Sequence, residues 1–308
     1  MDIEPNPSSA DEALALLAAR NHGVFLSSDA AAVGVTAQGL GRRCAKGIIR
    51  RLHKGVYAMT SVRPSARQLL FAACRWGGAG SAASHRSAAA LWELDGFDLN
   101  AFEIWSPRQL KSNRVVARVG ALPVSDISQV DGIPVTKIER TLVDLAAVVD
   151  VDKLEDALDS ALRQRLTTVN RMRLRVGSER GRRGIGKLRG LLAERDDRGR
   201  PSASRFETRL NRLLIRSGLP AMREYKIWDG GEFIARVDFC YPEARLIIEA
   251  DGFRWHSARR AWQRDRDRRN QLTAMGWRVI QVTWDDLTRR PEETIERIRA
   301  LLQPRLPI

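Results

Sequence analysis

Two apolar runs late in the chain, Ile234-Ala-Arg-Val-Asp-Phe-Cys and Leu246-Ile-Ile-Glu-Ala-Asp-Gly, carry acids where a strand interior is ordinarily apolar. Each reads as a strand that is at least half buried, where an unpaired carboxylate is costly. Asp238, Glu249 and Asp251 must therefore be neutralised or hydrated. Side chains alternate faces along a strand, so Glu249 and Asp251 point the same way. The short turn at Pro242-Glu243 makes the two strands antiparallel neighbours, which lets Asp238 face Glu249 at one end of the sheet. Acids converging in one cleft suit a hard divalent cation, Mg²⁺ (or Mn²⁺), beside phosphate. The competing reading is a salt bridge from these acids to Arg236, Arg245 or the basic helix that follows.

The surroundings give these strands a context. Residues 204–217 form an amphipathic helix ended by Gly218-Leu-Pro. Strands follow over 224–228, 232–240 and 244–251, then a basic helix over 258–275 that stops at Gly276. A strand over 277–283 and a helix over 291–302 complete an α-β-β-β-α-β-α order. Glu207 projects from the first helix toward the acids as a fourth carboxylate, although Ser204-x-x-Glu207 also fits a capping box. His256, five residues past Asp251, suits a proton carrier or a phosphate donor, with a surface-loop histidine as the alternative. Trp262, Trp277 and Trp284 could stack on bases, but core packing is the expectation for at least two of them.

Charge narrows the partners. Lys and Arg number 52 against 37 Asp and Glu, a net charge of +15, which points to a polyanion and above all to nucleic acid. Charge alone does not separate DNA from RNA. No apolar run approaches the roughly 20 residues of a spanning helix. The start Met1-Asp-Ile-Glu-Pro-Asn-Pro is unlike a signal peptide, so the expected location is cytoplasmic, with no membrane partner. Cys44, Cys74 and Cys240 are too scattered for a disulfide framework or a zinc knuckle.

The N-terminal part reads as a winged helix-turn-helix. A helix over 11–19 precedes one through 29–33, capped by Ser27 or Ser28 and stopped at Gly34. A third helix is capped by Thr36, and residues 48–59 alternate around Gly55 as a two-stranded wing. Arg42, Arg43, Lys46, Arg50, Arg51 and Lys54 fall on the recognition helix and wing with no acid among them, as DNA contacts would. A mixed α/β module follows over 63–165, with strands at 102–105, 115–119 and 132–136 and helices at 84–92, 138–149 and 152–166. Residues 163–200 hold 13 Lys/Arg against four acids and several glycines, the pattern of a basic helical arm that tracks nucleic acid.

Taken in order, Val237-Asp-Phe, Ile248-Glu-Ala-Asp-Gly-x-x-x-His256, Asp265-Arg-x-Arg-x-Asn270 and Gly276-Trp-Arg-Val-Ile resemble the endonuclease-like domains related to very-short-patch mismatch repair enzymes. Those belong to the PD-(D/E)XK, or restriction-endonuclease-like, superfamily. The resemblance implies that Asp238 and Glu249 hold Mg²⁺ with help from Glu207. The superfamily Lys two residues after the Glu is Asp251 here. The mismatch-repair branch also lacks that Lys, so Asp251 and His256 are the implied substitutes, and Arg266 or Arg269 could supply the positive charge. Upstream, Leu52-His-Lys-Gly-Val-Tyr57, Ser84-His-Arg-Ser-Ala-Ala and Gly132-Ile-Pro-Val-Thr with Arg140-Thr-Leu-Val-Asp-Leu-Ala resemble AbiEi-type antitoxins and transcriptional regulators. That family implies operator binding and a nucleotidyltransferase-like toxin as partner.

The expectation is an α/β multidomain chain: winged helix-turn-helix over 1–62, AbiEi-like module over 63–165, basic arm or linker over 166–202, and endonuclease-like domain over 203–308. Its expected activity is Mg²⁺-dependent cleavage or nicking of DNA. The alternative is a non-enzymatic regulator whose nuclease-like domain only grips the backbone.

Overall fold

The computed structural model describes residues 9–195, 203–250 and 268–303. The chain divides into two compact units, residues 1–192 and 193–308. Asp251, His256, Trp262 and Arg266 lie outside the described residues.

The first unit opens with α1 (Ala10–Ala19), β1 (Val24–Leu26), α2 (Ser27–Ala32), α3 (Ala37–Ala45), β2 (Ile49–His53) and β3 (Val56–Met59). The three strands form an antiparallel sheet in the order β1-β3-β2. Thr36 caps α3 as expected, its Oγ1 accepting from the Gly39 N–H at 3.1 Å. The cap of α2 differs from expectation. Ser27 and Ser28 form the first turn, and Asp29 reaches back to accept from the Leu26 N–H at 2.8 Å. Leu14, Phe25, Leu40, Ile49 and Met59 close this core.

The chain continues through α4 (Ala66–Gly77), β4 (Ala82–Ala83), α5 (His85–Leu91), β5 (Phe102–Ser106), β6 (Val115–Val119), β7 (Ile127–Val130), β8 (Ile133–Thr136), α6 (Ile138–Ala146), α7 (Val151–Arg163), α8 (Val169–Ser178) and α9 (Ile185–Ala193). A mixed sheet runs β6-β5-β4-β8-β7. Val24, Val56 and Ala58 of the small sheet share a core with Leu70, Phe71, Ile104 and Val135, so packing is continuous across residue 62.

Residues 166–192 pack into the first unit. Met172 and Val176 of α8 and Leu188, Leu191 and Leu192 of α9 are buried with Leu142, Leu145 and Leu158 in a second core of this unit. Their apolar spacing outweighs the charge: Arg175 bonds Asp126 at 2.6 Å, and Arg182 lies 3.2 Å from Glu179. Gly184, at φ +80°, packs so closely that a Cβ would sit 1.9 Å from the Ala146 carbonyl oxygen. That contact belongs to a core.

The second unit contains α10 (Ala203–Arg216), β9 (Met222–Asp229), β10 (Glu232–Tyr241), β11 (Leu246–Ala250), the helical residues 268–274 (α11), β12 (Arg278–Val282), α12 (Trp284–Arg289) and α13 (Pro291–Leu302). The sheet order is β12-β11-β10-β9, with β11 and β12 parallel and the other pairs antiparallel. One core joins Phe206, Leu210, Phe239, Ile248, Val282 and Ile298. The other joins Ile227, Val237, Cys240, Ile247 and Leu272 of α11. The sheet is thus covered by helices on both faces, as its nearly unbroken apolar β11 requires. The expected α-β-β-β-α-β-α order holds, with α12 added. Trp277 packs against Tyr225, and Trp284 meets Phe206 edge-on at 5.7 Å, so both have the core role expected of them.

Candidate functional site

The paired strands β10 and β11 place Asp238 and Glu249 at neighbouring register positions. The β10–β11 ladder runs Phe239↔Ile248, Cys240↔Ile247, Tyr241↔Leu246, and one step further in this register sets Asp238 opposite Glu249. The pairing stops at that step, and Asp238 Oδ2 instead accepts the Ala250 N–H at 3.2 Å. Strand β10 also rolls over at this point, because Val237 belongs to one core and Phe239 to the other. Glu224 lies across from Asp238 on β9, between the pairs Val237↔Tyr225 and Phe239↔Arg223. Its φ of +49° is a left-handed conformation uncommon for a non-glycine residue. Strain of this kind concentrates where a side chain must be aimed.

Glu207 comes from α10. Burial raises the proton affinity of Glu207, and the charges of Asp238 and Glu224 raise it further, with Arg223 acting against them. Glu207 and Asp238 therefore repel one another, and a cation between them would relieve that repulsion. Arg223 Nη2 is 4.0 Å from Glu207 Oε2.

Glu249 is held differently. Arg268 Nη2 donates to its Oε1 at 2.7 Å, and Arg269 Nη2 to its Oε2 at 3.2 Å. The basic helix thus supplies the salt bridge that the sequence allowed, with Arg268 and Arg269 as its donors. Arg268 was legible only as part of Asp265-Arg-x-Arg-x-Asn270. Among the described residues no group of three or more His, Cys, Asp or Glu stands close enough to hold a metal ion. The oxygen donors on Asp238, Glu207 and Glu249 nevertheless match a hard divalent cation in type. Cys240 is a buried thiol pushed up to about 12 and offers no nucleophile.

The six cations between Arg42 and Lys54 separate into two sets. Arg42, Lys46, Arg51 and Lys54 are exposed. Arg43 is half-buried, paired with Asp11 and bonded to the Gly39 carbonyl, which ties α3 to α1. Arg50 donates to the Gln68 side chain and so secures β2 to α4. Arg42 and Lys46 at the end of α3, Arg51 on β2 and Lys54 at the β2–β3 turn face solvent without an ion pair among the described residues.

The comparisons with known proteins follow this division. A restriction-endonuclease-like family model, REase_MTES_1575, matches residues 206–302. The model described as transcriptional regulator, AbiEi antitoxin, matches residues 12–60, and the AbiEi antitoxin C-terminal domain matches residues 80–194. The uncharacterized proteins Rv2248 and MT2308, from Mycobacterium tuberculosis strains H37Rv and CDC 1551, are each 31% identical over 269 residues. The alignment covers 86% of this chain and 96% of each relative. The chain belongs to their family.

Within that family this chain joins AbiEi-type domains to a restriction-endonuclease-like domain. Domains of the latter kind are typical of metal-dependent nucleases, and AbiEi-type regulators imply DNA and toxin partners in general terms. The REase-like match spans Glu207, Asp238, Glu249, Arg268 and Arg269, and the first AbiEi match spans all six wing and helix cations. The second AbiEi match also runs through α8 and α9, in keeping with their burial. Among the described residues no helix is long and apolar enough to cross a membrane.

Proposed function

We propose that this chain is a DNA-directed endonuclease or nickase that uses Mg²⁺ (or Mn²⁺) to hydrolyse a phosphodiester. The observation that supports the reading is the register of β10 and β11, in which Asp238 and Glu249 stand one step beyond the last ladder pair, with Glu207 charge-coupled to Asp238. Asp238 and Glu249 would hold the ion, and Glu207 would assist. When bound, such an ion activates water and offsets charge on the leaving oxygen.

The protein's own groups have separate tasks in this account. The Ala250 N–H fixes the Asp238 carboxylate. Arg268 holds Glu249 in place, while the more exposed Arg269 would turn toward phosphate in place of the superfamily Lys. Asp251 and His256 would stand in for the superfamily Lys, as the family resemblance implies, and His256 would also carry a proton. Arg42, Lys46, Arg51 and Lys54 supply phosphate contacts that position the wing on a duplex. The AbiEi-type domains support DNA as partner, and by the same family a nucleotidyltransferase-like toxin.

One observation favours a second reading. Both Glu249 oxygens are engaged by arginines, as they would be in a domain that grips DNA without cutting it. Supercoiled plasmid incubated with the full-length protein in Mg²⁺ or in EDTA separates the two. A nuclease converts plasmid to the nicked or linear form in Mg²⁺ alone, and Asp238→Ala abolishes this while still shifting the plasmid's mobility. Intact plasmid with both proteins, accompanied by a mobility shift, would establish the non-enzymatic regulator.

A further inference from the structure

His85 occupies an unusual position in the first unit. It is buried at 3% exposure, and its backbone is left-handed at φ +50°. Ser84, at the N-cap position of α5, makes no capping bond; its Oγ lies 2.9 Å from His85 Nδ1 instead. The other ring nitrogen, Nε2, has no hydrogen-bond partner among the described residues. Beside it stands Trp105, with ring centres 5.8 Å apart. Arg140 lies 5.0 Å from the Trp105 ring centre, and Arg118 is the register partner of Trp105 on β6.

The charges around this ring do not balance. Asp126, Asp144 and Glu179 are shared among Arg140, Arg175 and Arg182, and Glu103 serves Arg86. Arg118 has no carboxylate among the described residues, and its Nε is buried without a hydrogen-bond partner. Burial pushes the His85 imidazole down to about 3, helped by Arg118, Arg140, Arg86 and Arg182. The ring is therefore neutral at pH 7 and sits in a positive potential. A half-buried guanidinium left unpaired among like charges is costly unless an anion completes it.

We propose that His85, Arg118 and Arg182 form a binding site for a phosphate monoester or free phosphate dianion, with Arg86 at its rim. With Nδ1 accepting from the Ser84 hydroxyl, the neutral ring presents an Nε2–H donor, and Arg118 brings the unmatched charge. Arg86 and Arg182, at 41% and 30% side-chain exposure, leave a solvent approach. The Trp105 ring is already engaged by Arg140 and His85, so the site recognises the phosphate group without stacking a base.

The test uses the full-length protein in phosphate-free buffer, titrated separately with inorganic phosphate and with adenosine monophosphate, and read by calorimetry and thermal melting. Both ligands bind the wild type and raise its melting temperature, by comparable amounts if phosphate alone is recognised. A response to the nucleotide only would keep the phosphate chemistry and assign its source. Arg118→Ala melts no lower than wild type without ligand, because it removes repulsion, yet its affinity falls about 10–100-fold. Arg118→Lys, which retains the charge, keeps part of that affinity. Failure of both ligands to bind, undiminished binding by Arg118→Ala, or a clear drop in its ligand-free melting temperature would each overturn the site.

Discussion

Arg268 holds Glu249 through a 2.7 Å bond, and the neighbouring Arg269 takes the other carboxylate oxygen at 3.2 Å. The acid offered by β11 is therefore held by the helix that follows it. The two arginines differ in exposure, at 29% and 41%, and the proposed function assigns anchoring to the first and phosphate contact to the second.

For Arg269→Ala the expected result is a nicking rate lowered by about 10²–10³, the cost of removing one donor from developing charge. Divalent-ion affinity should change little, since Arg268 still orients Glu249. Single-turnover plasmid cleavage beside metal titration gives both readouts.

The first unit's cations should divide by experiment as they do by geometry. Arg42→Ala, Lys46→Ala and Lys54→Ala each weaken DNA binding and lower the salt slope by about 1. Arg43→Ala instead removes a partly exposed pair with Asp11, at a cost of at most about 1 kcal/mol of stability. Filter binding across a salt series and denaturant melts distinguish the two behaviours.

Much of this was legible in the sequence, for local reasons. The Thr36 cap, the Gly55 turn and the alternation beside it specify α3 and the wing. The apolar runs around Asp238 and Glu249, joined by one short turn, indicate the pairing of β10 with β11. Strands of two or three residues, such as β4 and β1, are too short to show a period. The burial of α8 and α9 stayed hidden because Arg175 and Arg182 find Asp126 and Asp144 far along the chain. A surplus of one sign describes a surface only when its partners are absent. The left-handed turn at Glu224, opposite Asp238, has no signature in residue type.

Gly184→Ala tests whether residues 166–192 belong to a core. The new Cβ would meet the Ala146 carbonyl oxygen at 1.9 Å on a backbone of φ +80°, so about 3 kcal/mol or more of stability should be lost. A linker would tolerate the change. Chemical denaturation of the two proteins decides between them.

His85 should give stability a characteristic pH dependence. Its folded-state value of about 3 lies below the ordinary 6.5, so the unfolded chain takes up a proton first as pH falls. The contribution of His85 is complete above about pH 6.5 and is lost toward about pH 3, by at most about 1.4 kcal/mol per pH unit. His85→Gln removes this slope, read as the difference between variant and wild type in acetate and MES buffers.

The most direct test of the central claim is Mn²⁺ binding to the DNA-bound full-length protein, followed by electron paramagnetic resonance for wild type and Asp238→Ala. The account predicts a bound ion in the wild type and affinity reduced at least about tenfold in the variant, as loss of one charged ligand requires. Equal binding by both proteins, or no binding by the wild type, would contradict it.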